Sequence, residues 1–372
     1  MPVLSVSYSS FRNITDGTID FCAKEIFFVG ENGQGKSNLL ESIYCLAYGS
    51  SFRTRQDSEL ARNGSSVYSL RSLYRGSNDE LDFSGSVQIS FDGGKKKIVK
   101  NGKTIKDRRD LVTTMPCVVF CHDDLQFVSG EPERRRFFLD QCLSMYDLSY
   151  LDSIRGYSRV LRSRNACLKN GRFELLDVYD AQLAQFGAEI QKKRADAVFK
   201  FNRVFCPLYE EISGISGVSI FYAPSWKKDE TENISQEDAI RILYEKRSSD
   251  SILFTTTSGP HRDKIRFIKN GADFVATAST GQRRLIAVLL RVAQSLFFAR
   301  ATNRKPILLL DDVLLELDPT KRQEVTAHLP DYDQLFCTFL PGEPWENYAH
   351  EKTKTYTIKN GEWKWQNQTT IS

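Results

Sequence analysis

The sequence predicts an α/β fold: a mixed sheet with flanking helices and an antiparallel β part, interrupted by an inserted helical lobe. Three features lead there. A continuous apolar run, Ile26 to Val29, stops at Gly30 and is followed by a Gly-rich turn and a helical pattern, which reads as strand, loop and helix. Between Ser66 and Val112 the texture is strands and turns, as in an antiparallel meander. From Pro132 to about Phe205 the chain becomes Arg-rich, Leu-rich and helical.

Each element follows in order. From Ser37 onward Leu39, Leu40, Ile43, Leu46 and Ala47 recur at helical spacing, and Gly49 supplies the stop. Val87 to Phe91 alternates and runs into Asp92-Gly93-Gly94, a hairpin turn, with Asn101-Gly102 as a second. Met115 to Cys121 is another buried strand. In the lobe, Ala181 to Phe205 would form a helix ~37 Å long at 1.5 Å per residue, with Leu183, Phe186, Ile190, Val198, Phe201 and Phe205 on one face. Ser225 to Ser235 is polar and predicts an exposed loop before a helix over Gln236 to Lys246. Ile307 to Leu310 is a buried strand ending in two carboxylates, and Gln334 to Leu340 reads as one more.

Composition narrows the function class. The 372 residues correspond to two or three domains, and 41% hydrophobic with 26% charged residues excludes a disordered or fibrous chain. Lys plus Arg number 51 against 47 acids, a net charge of +4, so any nucleic-acid affinity has to come from local patches. The longest apolar helical stretch, Leu285 to Ala299, carries Arg291 and Gln294 and is shorter than the ~20 residues of a membrane span. Met1 to Phe11 lacks a basic segment followed by an apolar one, so a cytoplasmic location with no membrane partner is expected. The eight cysteines, with no C-x-x-C pair, predict reduced and mostly buried thiols.

Gly30-Glu31-Asn32-Gly33-Gln34-Gly35-Lys36-Ser37 fits G-x-x-x-x-G-K-[ST] between a strand and a helix. The glycines let successive backbone N–H groups face phosphate oxygens at a helix N-terminus. Lys36 then reaches the β/γ-phosphates, and the Ser37 hydroxyl is a Mg²⁺ ligand, so ATP and Mg²⁺ are the expected cofactors. Asp311-Asp312 follow the second apolar strand. Because adjacent strand residues point oppositely, Asp311 can serve hydrated Mg²⁺ while Asp312 orients or deprotonates the attacking water.

Ser279-Thr280-Gly281-Gln282 precedes an apolar helix ~30 residues before the acidic strand, so Ser279, Gly281 and Gln282 offer a hydroxyl and N–H groups at a second helix N-terminus. By itself this is an ordinary helix cap. Its position is that of an ABC-type signature, which closes on the γ-phosphate held by a second copy. Residues 1–125 and 255–372 are therefore assigned to an ABC-type phosphate-loop ATPase head and 126–254 to the inserted lobe.

With these motifs the sequence resembles the RecF family, relatives of the Rad50 and SMC heads. The matching runs include Phe11-Arg12-Asn13, the phosphate loop with Asn38-Leu39-Leu40-Glu41, Ser51-Phe52-Arg53-Thr54, Glu133-Arg134-Arg135-Arg136-Phe137, Gly259-Pro260-His261-Arg262-Asp263 and Asp311-Asp312-Val313 with Glu316-Leu317-Asp318. The resemblance implies ATP-dependent DNA binding, an ATP-dependent homodimer, slow hydrolysis, and work with RecR and RecO to load RecA at gapped or junction DNA. Leu315 stands where the family often has Ser, Thr280 where Gln is common, His122 where proline is usual, and Thr338-Phe339 where paired threonines are often seen.

Two basic concentrations stand out: eight cations between Lys95 and Arg109 facing one acid, Asp107, and Arg134 to Arg136 with Arg155, Arg159, Arg162 and Arg164 on the lobe. Each fits a solvated face or a sequence-indifferent phosphate contact. His261 has no Ser or Cys nucleophile motif beside it, so a structural or nucleotide-sensing role is expected. The alternative reading, an ABC transporter-type ATPase subunit, calls for a switch histidine that Gln334 to Gly342 does not contain.

Overall fold

In the computed structural model, residues 2–76, 84–227, 234–313 and 317–366 are described. They form two compact units, residues 1–122 with 302–372, and residues 123–301.

The first unit holds two six-stranded sheets. Its first part contains β1 (Val3–Ser9), β2 (Gly17–Asp20), β3 (Glu25–Val29), α1 (Lys36–Tyr48), β4 (Tyr68–Arg75), β5 (Ser84–Asp92), β6 (Lys95–Lys100), β7 (Lys103–Thr104), α2 (Arg109–Val112) and β8 (Cys117–Phe120). The second unit follows with α3 (Gln126–Ser129), α4 (Pro132–Ser144), α5 (Leu148–Lys169), α6 (Leu176–Ser213), β9 (Val218–Ala223), α7 (Gln236–Leu253), β10 (Lys264–Lys269), β11 (Ala272–Asp273) and α8 (Thr280–Thr302). The chain then returns to the first unit through β12 (Ile307–Leu310), α9 (Pro319–Ala327), β13 (Gln334–Phe339), β14 (Thr353–Lys359) and β15 (Glu362–Gln366).

The antiparallel sheet runs β2-β1-β4-β5-β6-β7, and the mixed sheet β15-β14-β3-β13-β12-β8. In the latter β14, β3, β13, β12 and β8 are parallel and only β15 is antiparallel. All five residues of β3 are buried, the apolar run Ile26 to Val29 as expected and Glu25 with its carboxylate accepting from the Tyr332 and Thr353 hydroxyls. One core takes Val6 and Leu70 from the antiparallel sheet, Phe28 and Leu309 from the mixed sheet, and Leu39, Leu40 and Ile43 from α1. Each such side chain contributes about 1.5–3 kcal/mol by leaving water. The meander turns are as expected: Gly93-Gly94 and Asn101-Gly102 all adopt positive φ.

The second unit packs its helices around the small sheet β11-β10-β9. Residues 255–301, assigned from sequence to the ATPase head, lie in this unit, where β10 pairs with β9 across the polar segment and α7 that separate them. Residues 228–233 of that segment lie outside the described residues, as do Leu315 and Glu316. The lobe helix is longer than the pattern over Ala181 to Phe205 implied. It spans 38 residues, since Leu176 extends the buried face at one end and Leu208, Tyr209 and Ile212 at the other, across Pro207. The free edge of β9 is blunted by Asn202, whose amide accepts from Ile220 N–H at 2.9 Å and donates to Ile220 C=O at 2.8 Å.

Helix α8, at 23 residues, is long and apolar enough by composition to cross a membrane, longer than the stretch counted from sequence. Two thirds of its most apolar window is nevertheless buried within the protein, and its interior carries Arg291, ion-paired to Asp124 at 2.7 Å. It is a core helix. All eight cysteines are free thiols, and only Cys22 is exposed.

Candidate nucleotide site

The loop after β3 is shaped by its glycines. A Cβ at Gly30 would lie 2.4 Å from the Ile358 carbonyl oxygen, and Gly33 and Gly35 hold φ of 77° and 117°, where L side chains are strained. Around Gly33 nothing lies within 4 Å of that Cβ position. Neighbouring segments brace it from behind. Asn360 N–H donates to Gln34 Oε1 at 2.7 Å, Gly361 N–H to Gln34 C=O at 2.9 Å, and Asn13 Nδ2 to Gln34 C=O at 3.3 Å.

Lys36 opens α1 and is 4% exposed, its Nζ donating to the carbonyls of Gly30 at 2.7 Å and Glu31 at 3.2 Å. Among the described residues no carboxylate pairs with it. A buried ammonium held only by carbonyls at a helix N-terminus is a site short of an anion. Ser37 Oγ donates to Asp311 Oδ1 at 2.7 Å, bringing together the hydroxyl and the carboxylate expected to share Mg²⁺. Two hard oxygen donors fit a cation that keeps most of its own waters. Burial raises Asp311 to about 6; the Ser37 bond and the Arg53 and Lys36 charges pull it down, and the Asp312 charge pushes it up. Below about pH 6 a proton therefore competes for the cation's place.

Asp312 is set apart from its neighbour by the backbone. It adopts φ 53°, a conformation that costs a non-glycine residue on the order of 1 kcal/mol or more and recurs at functional sites. Thr338, at the end of β13, fixes it from two sides: its Oγ1 accepts from Asp312 N–H at 2.9 Å and donates to Asp312 Oδ1 at 2.7 Å. The nearest partner of Asp311 is Ser37 and that of Asp312 is Thr338, and what parts the two acids is the backbone turn at Asp312 beyond the end of β12, not the alternation of strand residues expected from sequence.

A second shell of charge surrounds α1 that spacing alone did not reveal. Glu41, fully buried, accepts from Arg12 Nε at 3.0 Å and Nη2 at 2.9 Å and from the Ser51 hydroxyl at 2.5 Å. Arg53 donates to Asn38 at 2.7 Å, and Asn38 to Asn13 at 2.8 Å. Glu41, Asn13 and Arg53 were legible only as members of matching runs, and Thr338 only within a departure from the family pattern. No local period marks a polar residue that faces a loop distant in sequence.

Ser279, Gly281 and Gln282 group separately, at the start of α8 in the second unit. Gln282 N–H donates to Ser279 Oγ at 3.2 Å while Ser279 N–H donates to Gln282 Oε1 at 2.8 Å, a reciprocal capping box. The cap uses Ser279 Oγ as an acceptor and leaves its proton to donate elsewhere. Gly281 has no packing reason to be glycine: a Cβ there would meet only Ser279 Oγ, at 4.0 Å.

His261 is engaged at both ring nitrogens. Its Nε2 donates to Thr256 C=O at 2.9 Å, which leaves Nδ1 to accept from Tyr157 Oη at 2.7 Å, and burial lowers its pKa from 6.5 to about 4. The unfolded chain binds this proton below pH 6.5 and the folded one only below about 4. Stability thus falls as pH drops through that window, by about 3 kcal/mol. Urea unfolding at pH 7 and pH 4.5 should show a wild-type loss exceeding that of His261→Gln by about 2–3 kcal/mol; equal losses would contradict the assignment.

Comparison with known proteins places this geometry. The family model described as "RecF/RecN/SMC N terminal domain" matches residues 3–363. The chain is 45% identical, over 95% of its length and 98% of the relative's, to the DNA replication and repair protein RecF of Treponema pallidum (strain Nichols). It is 32% identical to the protein of the same name from Leptospira interrogans serovar Lai, over 96% and 97% of the two chains. A solved structure described as the recombination mediator protein RecF with ATP, in the RecFOR pathway, superposes with a TM-score of 0.89 at 29% identity, covering 98% of this chain and 97% of that one. An SMC head bound to a winged-helix domain of ScpA superposes at 0.57 with 14% identity, a likeness of fold.

Proposed function

The chain belongs to the RecF family of DNA replication and repair proteins, and on that premise we propose that it is a DNA-dependent, slow ATPase that dimerises on ATP as a clamp on gapped or junction DNA. The observation that carries this is a fully braced phosphate cradle with a buried, anion-seeking Lys36, in a chain that also bears a bare, capped helix tip at Ser279 and Gly281. ATP binds with its phosphates along the N–H groups of Gly30 to Ser37. Ser37 and Asp311 would hold Mg²⁺, which when bound neutralises charge on the β- and γ-oxygens.

Lys36 reaches the terminal phosphates, and Asp312, held by Thr338, orients the attacking water and receives its proton at the carboxylate. The Ser279 hydroxyl and the N–H groups of Gly281 and Gln282 of a second copy close the far side of the same triphosphate. Two chains then share two nucleotides. The bound DNA state works with RecR and RecO in loading RecA, in the cytoplasm. A transporter-type ATPase subunit is not favoured: the relatives are repair proteins, and β13 is followed by no histidine through Gly342.

Ser279→Arg tests the shared site. It should bind ATP as a monomer with affinity within about threefold of wild type, yet lose ATP-induced pairing by light scattering, because one extra guanidinium fills the space meant for the γ-phosphate. Unchanged ATP-induced dimers would remove Ser279 from the interface.

A further inference from the structure

The two basic concentrations do not survive folding equally. On the lobe, Arg164 is fully buried between Asp180 and Asp250, and Arg135 and Arg136 donate to the carbonyls of Ile265 at 3.1 Å and Asp263 at 2.9 Å. Arg162 donates to Ser158 C=O of its own helix at 3.2 Å, and the exposed acid Asp152 also lies on α5. A sparse row is left.

In the first unit the outcome is the opposite. β6, β7 and the start of α2 enclose a cup of about 250 Å³, whose lining includes Lys97, Thr104, Lys106 and Arg108, all exposed. Among the described residues none of these three cations has an ion-pair partner. The carboxylate in the cup's wall, Asp107, is held by the Arg109 side chain at 2.6 Å and its N–H at 3.0 Å. Lys95 stands exposed on β6 on the same outer sheet face as Lys97, and Arg71 shares that face. The row of cations thus runs beyond the cup, further than one small anion requires and as a phosphate polymer would use.

The cup is also braced. Lys96, alternating to the inner side of β6, donates to Asp57 at 2.5 Å and to Gly49 C=O at 2.9 Å. Gly49 caps the C-terminus of α1, where a cation complements the helix dipole. The same 13-residue helix, ~20 Å long at 1.5 Å per residue, begins at Lys36 and Ser37.

We infer that this cup seats a DNA backbone phosphate and that α1 ties the contact rigidly to the nucleotide cradle. The assignment rests on the DNA-binding reading above. Such a contact is salt-sensitive and largely indifferent to base sequence.

The test is binding of a fluorescent gapped duplex, with ATP and Mg²⁺ across a salt series, to wild type, to the triple variant Lys97→Ala, Lys106→Ala, Arg108→Ala, and to a lobe variant Arg155→Ala, Arg159→Ala, Arg162→Ala. The cup variant should lose about 10- to 100-fold in affinity and its log–log salt slope should shrink by about 1, at ~0.9 per phosphate contact. The lobe variant should lose less. Circular-dichroism melting checks the fold of each variant, and amine-reactive labelling of wild type should show Lys97 and Lys106 protected by DNA. Wild type that binds no DNA would overturn the parent reading. Wild type that binds DNA while the cup variant matches it, or the lobe variant loses more, or the two lysines stay reactive, would overturn the cup.

Discussion

Lys36→Ala is expected to weaken ATP binding by at least about 100-fold, near 3 kcal/mol, and with it to abolish nucleotide-dependent pairing. The size follows from burial. Lys36 is almost inaccessible, its ammonium donates to two carbonyl oxygens, and among the described residues no carboxylate forms a direct ion pair with it. Docking a triphosphate replaces this weak solvation with a charge-assisted contact, and alanine forfeits that gain. The unloaded protein should change little in stability, since relief of a buried charge's desolvation offsets the loss of its two carbonyl contacts and of its pull on Asp311. Isothermal titration with ATP and a thermal melt without it would check both halves. Tight binding by the variant would mean that the glycine backbone alone carries the phosphates.

Asp312→Asn should separate binding from chemistry. Asparagine keeps an oxygen to accept the Thr338 hydroxyl and its own N–H for Thr338 Oγ1, so the backbone at φ 53° is retained. It cannot take a proton from water. Hydrolysis should fall by about 10²–10⁴-fold, the usual worth of a positioned base, while ATP-bound dimers persist longer than in wild type. Phosphate release and light scattering read the two effects. Ordinary turnover would transfer the role to another group.

Much of this was legible before folding because the relevant residues are local. The phosphate loop, its flanking strand and helix, and the Asn101-Gly102 turn are set by backbone needs within a few residues. Long-range polar satisfaction was not legible. Thr338 and Asp312 are 26 residues apart, and Glu41 draws Arg12 and Ser51 from either side of the loop. Arg135, Arg136 and Arg164 look like surface charge in sequence, yet each serves a buried carbonyl or carboxylate. Where an arginine's partner lies about 16 to 130 residues away, composition counts the charge and misses its destination.

Sedimentation velocity with Mg²⁺ and a slowly hydrolysed ATP analogue bears most directly on the sharing of one triphosphate between two chains. The species should move from the 42.5 kDa chain to twice that mass as nucleotide saturates, and return when the nucleotide is removed. A chain that stays single at every concentration while demonstrably holding the nucleotide would contradict the account.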